Sequence, residues 1–132
     1  MIQLITIKAI IQDHQGKILL VRGGDNLWEM PGGRVEIGDG VEKTLRRELG
    51  EELGIHDVEI GDIVGVSDSL MALHNSQLFI IAYSCKINPT IELKLSDEHS
   101  ELGWFSQSEI EKLDIMPAKR YLLDEYFRKL KG

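Results

Sequence analysis

The sequence has little that would cross-link or interrupt a small fold. Its 132 residues include one cysteine, three prolines and only 6% aromatic residues. No apolar run approaches the roughly 20 residues that span a bilayer. One cysteine cannot form an internal disulfide, so the chain must rely on its hydrophobic core. Because Cys85 lies in the apolar run LFIIAYSC, we expect it to be a buried strand residue and not a catalytic thiol.

Positive charge is also scarce: the sequence has 15 Lys and Arg residues but 22 Asp and Glu residues, which gives a formal net charge of −7. Without a basic stripe the chain is not expected to bind a nucleic-acid polymer. A small phosphorylated ligand fits better, since the protein's carboxylates bind the metal that accompanies it. The first residues alternate around Lys8 with no basic leader, which favours a first strand over a signal peptide. We expect a cytoplasmic protein, monomer or homodimer, with no membrane partner.

Length and patterning favour a single domain over residues 1–132 with helices and strands in alternation. A β-hairpin is predicted from residues 2–12 and 17–22, joined by a turn at Asp13–Gly16. The further predicted strands are 58–66, 77–87, 102–105 and a short one at 90–95. The predicted loops are 67–76, which includes Met71, His74 and Asn75, and the acidic 96–101.

Three helices are predicted from apolar spacing and end signals. The first spans 41–53, where an apolar residue recurs every fourth position and Gly54 follows as a stop signal. A capping box, Ser106 to Glu109, predicts a short helix that runs toward Leu113. The last helix, about 118–130, is expected to place Leu123, Tyr126, Phe127 and Leu130 on one side. Strands on both sides of a helix and a closing helix predict an α/β or α+β sandwich.

The most informative stretch runs from Pro31 to Ile55, where a glycine loop precedes the first helix. Glu48, Glu51 and Glu52 occupy positions i, i+3 and i+4, so their carboxylates lie on one helical face. Carboxylates this close repel one another, and a cation offsets that cost. Oxygen donors of this kind suit Mg²⁺ better than thiolate or imidazole would. The stretch predicts a divalent metal site.

The same residues resemble the Nudix box, Gly-x5-Glu-x7-Arg-Glu-U-x-Glu-Glu-x-Gly-U, where U is aliphatic. Eight fixed positions match; they are Gly33, Arg47, Glu48, Leu49, Glu51, Glu52, Gly54 and Ile55. The box departs once, because Asp39 stands where the pattern has its first Glu. The hairpin before the box, the Trp28–Gly33 segment and the Trp104–Phe105 strand extend the resemblance over nearly the whole chain.

The resemblance implies a Nudix fold, a mixed β-sheet sandwiched between helices. It also implies Mg²⁺-dependent hydrolysis of a pyrophosphate bond in a nucleoside diphosphate-linked small molecule, with Mn²⁺ as a substitute. The implied metal ligands are Glu48, Glu51, Glu52 and the carbonyl of Gly32. The general base is then Glu52 or Glu48, or Glu98 or Glu101 from the later loop.

Two residues of the box have two interpretations each. Asp39 is either the helix N-cap, with Glu42 completing a capping box, or an acid that pairs with Arg47 and braces loop against helix. Arg47 provides that brace, or it forms an ordinary surface pair with Glu51. The shorter Asp39 is expected to leave metal binding intact.

The remaining candidates are assigned less firmly. Arg22 is placed to reach a phosphate, or it is an arginine in solvent at a strand end. Trp28 and Phe79 either stack on a base or belong to the core. Gly33 completes the expected substrate-binding set with Arg22 and Trp28. His99 is a ligand, a base or a solvated histidine.

For the substrate, nucleoside triphosphates, including oxidised ones, are favoured over ADP-ribose and nucleotide sugars. The reason is that Leu27–Gly33 resembles the triphosphate-cleaving branch of the family, while no added domain or long dimerising arm of the ADP-ribose type is visible in these residues. A Nudix domain that senses a nucleotide without turnover is the alternative from another class. Such domains usually lose box glutamates, whereas this chain keeps the three of the helix.

Overall fold

The computed structural model describes residues 1–71 and 74–132, and these form seven strands and three helices. The strands are β1 (Ile2–Ile11), β2 (Ile18–Arg22), β3 (Trp28–Glu29), β4 (Gly32–Arg34), β5 (Val58–Met71), β6 (Ser76–Ile87) and β7 (Glu101–Phe105). The helices are α1 (Val41–Leu53), α2 (Gln107–Ile110) and α3 (Pro117–Lys131). No helix in the described parts of the chain is long and apolar enough to cross a membrane.

A four-stranded mixed sheet forms the centre of the molecule, with strand order β4-β1-β6-β5. β1 pairs in parallel with β6 and antiparallel with β4, while β5 and β6 are antiparallel. One face of β1 buries Ile7 and Ile11 in a cluster with the leucines of α1, and the other face buries Ile10 with α3. The predicted sandwich of a mixed sheet between helices is confirmed.

The predicted β-hairpin is wrong, although its turn is correct. The Asp13 carboxylate accepts hydrogen bonds from the amides of Gln15 and Lys17, and Gly16 has a φ of 84°. Beyond a single bridge between Gln12 and Ile18, however, β2 leaves β1 and joins a second sheet of order β3-β2-β7. From Ile7 onward β1 is buried on both faces, as a central strand is, and it takes its two partners from distant segments.

The helix bounds agree closely with the sequence patterns. α1 has the predicted bounds and ends at Gly54, whose left-handed φ of 69° is a conformation that glycine adopts without strain. The capping box of Ser106 and Glu109 opens α2. In α3 the buried residues are Leu122, Leu123 and Phe127, whereas Leu130, at the end of the predicted apolar side, is exposed.

Two segments differ from their predicted structure. Residues 67–71, expected in a loop, continue β5 because β6 offers them partners as far as Ser76. The rest of that predicted loop includes residues 72 and 73, which lie outside the described residues. Residues 90–95 are not a strand, since the Lys94 amide instead donates to the Leu53 carbonyl at the end of α1. Cys85 is buried as expected.

Candidate active site

An open cavity of about 440 Å³ lies between the end of α1, the glycines of β4 and the segment before β7. Charged side chains and glycines dominate its lining, which consists of Lys8, Gly23, Gly24, Asp25, Glu29, Gly32, Gly33, Arg34, Glu48, Glu52, Glu98 and His99. Five of the residues expected at the site from the sequence are therefore together here: Gly32, Gly33, Glu48, Glu52 and Glu98.

Two glutamates of α1, Glu48 and Glu52, line this cavity, and the pKa of each is raised despite a basic residue nearby. Glu52 is buried, with 6% of its surface exposed, and burial raises its pKa to about 7; nearby Glu48 and Glu29 add to the rise. Lys8 and the Gly32 amide, which donates to Oε2 of Glu52 at 3.2 Å, oppose it. Burial also raises the pKa of Glu48, and the charge of Glu51 raises it further. The surroundings of Glu48 and Glu52 therefore disfavour the ionised form of each carboxylate.

Two glycines let the backbone of β4 approach these carboxylates. Gly32 has a φ of 147°, and a Cβ there would overlap the carbonyl oxygen of Ile7 on β1. A Cβ on Gly33 would instead overlap the carboxylate of Glu48. Gly32 is therefore required by the backbone, and Gly33 by the position of a cavity side chain.

The brace predicted around the helix is present. The Arg47 guanidinium donates a short hydrogen bond to the Asp39 carboxylate and lies 3.6 Å from Oε1 of Glu48. This contact lowers the pKa of Asp39. The alternative N-cap interpretation of Asp39 is wrong, because α1 is capped by Gly40 without a side-chain hydrogen bond. The arginine therefore connects loop, helix and Glu48.

The segment of residues 96–100 is fastened at both ends. The Ser96 amide donates to the Glu52 carbonyl, and the Ser100 amide donates to the Arg22 carbonyl. Glu98 and His99 reach the cavity from this segment. Burial lowers the pKa of His99, and its Nδ1 is buried without a hydrogen-bond partner among residues 1–71 and 74–132. Glu98 and His99 therefore line the same cavity as the α1 glutamates, on a segment that backbone hydrogen bonds hold at both ends.

Sequence reasoning missed the positive charge in this cavity. Lys8 is buried in β1 and its Nζ lies 2.6 Å from Oε1 of Glu29. Burial opposes ionisation of Glu29, but Lys8 and Lys119 outweigh it and lower the pKa of Glu29 to about 2. The available signal was a single lysine inside an apolar strand, which needs a buried partner. Its partner Glu29 on β3, and the second lysine on α3 that shares this partner, could not be identified from spacing.

Three residues expected at the site lie elsewhere. Arg22 on β2 and Glu101 on β7 form an ion pair, with 2.9 Å between the guanidinium Nη1 and the carboxylate Oε1. Neither residue lines the cavity. Trp28 is 8% exposed and packs edge to face on Phe105, with the Arg22 guanidinium over its ring. These expectations are corrected: Trp28 has no face open to a base, because core and strand contacts already cover it.

Glu51 lies on the same helical face but is exposed and does not line the cavity. Within the described ranges, no three His, Cys, Asp or Glu side chains stand close enough together to hold a metal ion by themselves. A metal held here therefore needs further oxygen ligands from the backbone, water or a bound phosphate. This requirement matches the way Mg²⁺ usually binds in proteins.

Comparisons with known proteins agree with this geometry. The family model described as NUDIX domain matches residues 3–126. A Mycobacterium tuberculosis protein provisionally named 8-oxo-dGTP diphosphatase 2 is 33% identical over 80% of this chain and 72% of its own length. The CTP pyrophosphohydrolase of Escherichia coli is 31% identical over 94% of this chain and 92% of its own length.

A solved structure extends the likeness to the backbone. The MutT protein from Methanosarcina mazei superposes with a TM-score of 0.84, with 28% identity over 99% of this chain and 97% of that one. The family model and the two sequence relatives each cover most of the chain, including α1 and its glutamates. The chain therefore belongs to the NUDIX family of pyrophosphohydrolases, enzymes that act on small nucleotides and generally use a divalent metal.

Proposed function

We propose that the protein hydrolyses a nucleoside triphosphate, including oxidised forms, to the monophosphate and pyrophosphate with Mg²⁺, for which Mn²⁺ can substitute. The observation that carries this proposal is the pair of buried or half-buried carboxylates, Glu48 and Glu52, beside the bare backbone of Gly32 and Gly33 in one cavity. The names of the M. tuberculosis and E. coli relatives, an 8-oxo-dGTP diphosphatase and a CTP pyrophosphohydrolase, support a triphosphate as substrate. A cavity of about 440 Å³ accommodates a phosphate chain.

The donor set fits a hard divalent cation. Glu48 and Glu52 offer carboxylate oxygens, Gly32 offers its carbonyl, and Glu51 would complete the set from the same face of α1. The raised pKa values of Glu48 and Glu52, caused mainly by burial, support a bound cation at this wall, because a cation would stabilise the ionised carboxylates. Bound there, a divalent cation would supply screening of the phosphate charge, polarisation of the attacked phosphorus and acidification of the attacking water.

Residues in and beside the cavity are assigned roles in binding, positioning and proton transfer. Lys8 and Arg34 supply positive charge where a phosphate chain would lie. Arg47 positions Glu48 through its contacts with Asp39 and Glu48. Glu98, with Glu52 or Glu48, takes the proton of the attacking water, because each lines the cavity and Glu101 does not.

The test is hydrolysis by purified protein with Mg²⁺ and a panel of nucleoside triphosphates, ADP-ribose and nucleotide sugars. Glu52→Gln should lower kcat at least roughly a hundredfold on any cleaved substrate. Glu42→Gln, at an exposed position of the same helix, is the matched control and should leave kcat unchanged. Chromatography of the products identifies the bond that is cleaved.

Three outcomes would contradict the proposal. Turnover that survives Glu52→Gln would remove the assigned chemistry from α1. Cleavage of ADP-ribose or nucleotide sugars in preference to triphosphates would replace the proposed substrate class. Nucleotide binding without any turnover would favour the sensing alternative.

A further inference from the structure

Three charged side chains from three elements meet beside the catalytic cavity. Oε1 of Glu29, on β3, lies 2.6 Å from Nζ of Lys8 on β1 and 3.0 Å from Nζ of Lys119 on α3. Their side chains are 18%, 7% and 16% exposed, respectively. One carboxylate between two ammonium groups leaves this cluster with an excess positive charge. We refer to Lys8, Glu29 and Lys119 as the charge cluster.

The charge cluster lies where two cavities meet. A second cavity of about 470 Å³ shares Lys8, Glu29, Gly33 and Arg34 with the catalytic one. Away from this shared wall it is lined partly by apolar side chains; these are Ile2, Leu4, Met71 and Leu78. Lys119 lines this second cavity and does not line the first. A nucleotide with its phosphates beside Glu48 and Glu52 would therefore extend its organic part past the charge cluster.

Stability alone does not account for the charge cluster. Removing charges from water costs several kcal/mol per ion, and apolar side chains of similar volume often stabilise a protein equally well. What the lysines add is chemistry, because an ammonium group donates hydrogen bonds and cannot accept them. Lys119 has one donor occupied by Glu29 and further donors for the second cavity.

We propose that the charge cluster makes the second cavity select nucleotides whose base carries a keto oxygen, with Lys119 as the specificity-determining residue. Guanine, cytosine, uracil and thymine each carry a ring carbonyl oxygen that accepts from an ammonium group. Adenine has only ring nitrogens as acceptors and presents an amino donor beside them. Oxidation of a purine to an 8-oxo form adds a carbonyl, so it follows the same rule. This inference rests on the proposed function and names the class of base.

The experiment replaces Lys119 without leaving a buried charge alone. Lys119→Met removes the ammonium group, while Glu29 keeps its pair with Lys8. In the wild type, kcat/KM for GTP, UTP and CTP should exceed that for ATP about tenfold or more, the scale of one hydrogen bond to a charged group. In Lys119→Met this ratio should fall severalfold toward one through KM, with kcat/KM for ATP little changed.

Two further variants separate specificity from structure. Lys119→Arg keeps the charge and the donors, so it should retain the preference for keto bases. Lys112→Met removes an exposed lysine just beyond α2 and should change neither the ratio nor the melting temperature. An unchanged ratio in Lys119→Met, or an equal loss for all four nucleotides, would overturn the inference.

Binding of nucleoside monophosphates distinguishes this inference from the proposed hydrolysis. Calorimetry in a chelator compares GMP, UMP and AMP with wild type and Lys119→Met. If no triphosphate is cleaved, the proposed hydrolysis fails, while a preference for GMP and UMP that Lys119→Met removes still supports base selection. Equal binding of GMP, UMP and AMP to the wild type would overturn base selection whether or not hydrolysis is found.

Discussion

Glu52 and Glu29 are the same residue type on the wall of the same cavity, and their surroundings act on them in opposite directions. Burial raises the pKa of Glu52 to about 7, and its neighbours Glu48 and Glu29 add to this. Burial also opposes ionisation of Glu29, but Lys8 and Lys119 outweigh it and lower that pKa to about 2. Among the described residues Glu52 has no ion-pair partner within 4 Å, although Lys8 acts on it from farther away, whereas Glu29 has two such partners.

The contrast shows how one cavity divides two tasks. A wall where burial and neighbouring carboxylates raise the pKa of Glu48 and Glu52 attracts a cation from outside, so it suits the metal and the phosphates. A wall where the carboxylate is already neutralised presents ammonium donors, so it suits an acceptor on the ligand. Protein stability should therefore respond oppositely to the same substitution at the two positions.

The largest expected effect is from Glu29→Gln, which leaves Lys8 and Lys119 close together without a counter-charge. Removing one partner from a buried ion pair costs about 3 kcal/mol or more. We expect the free energy of unfolding at pH 7, measured by urea denaturation, to fall by about that amount. Glu59→Gln, exposed on β5, is the control and should leave it nearly unchanged. A Glu29→Gln protein as stable as wild type would remove the electrostatic basis of the contrast.

Glu52→Gln should have the opposite sign in metal-free protein. Because the folded-state pKa of Glu52 is raised to about 7, its contribution is fully present below its ordinary pKa near 4.5 and is lost as the pH rises through 7. At pH 8 in a chelator, Glu52→Gln should therefore increase the free energy of unfolding by about 1 to 3 kcal/mol. Gln can still accept the Gly32 amide.

The pH dependence checks both signs in one titration. Glu29 has a lowered pKa, so its stabilisation is present above pH 4.5 and is lost as the pH falls toward 2. Chelated wild-type protein should be most stable between these two limbs. The upper limb should disappear in Glu52→Gln and the lower one should persist there. An upper limb that remains in Glu52→Gln would show that another group causes it.

A smaller effect, on kcat, is expected from substitution of Glu98 and Glu101, two glutamates near β7 that also differ in their surroundings. Glu98 lines the cavity, whereas Glu101 is paired with Arg22 outside it. Glu98→Gln should lower kcat about tenfold or more, as loss of a proton acceptor does, and Glu101→Gln should leave kcat within about twofold. Steady-state kinetics with Mg²⁺ provide the measurement. The reverse order would assign the proton transfer to Glu101.

Local patterns predicted the elements whose signals lie within a few residues of one another. The bounds of α1, its stop at Gly54 and the capping box of α2 follow from helical spacing and end chemistry. The pairing of β1 could not be predicted from local patterns, because this strand is buried on both faces and pairs with segments that are distant along the chain. The segment 90–95 was misjudged for the same reason, since its backbone bonds to the end of α1.

The candidate site divides along the same line. Glu48 and Glu52 and the two glycines beside them were identified from spacing within one helix and one loop. Arg22, Glu101 and Trp28 were misplaced, because pairing of β2 with β7 joins Arg22 to Glu101 and packing against Phe105 buries Trp28. Glu29 and Lys119 were missed, since 90 positions separate them and no local pattern relates them.

The sequence by itself determined the three glutamates on one face of α1, the glycine loop before it and, through their spacing, the family and its class of reaction. Helical periodicity fixes neighbours at i+3 and i+4 whatever surrounds the helix. Only the tertiary structure decided which carboxylates receive counter-charges and which do not. Electrostatic environment depends on side chains brought together from β1, β3 and α3, and local sequence does not encode those distances.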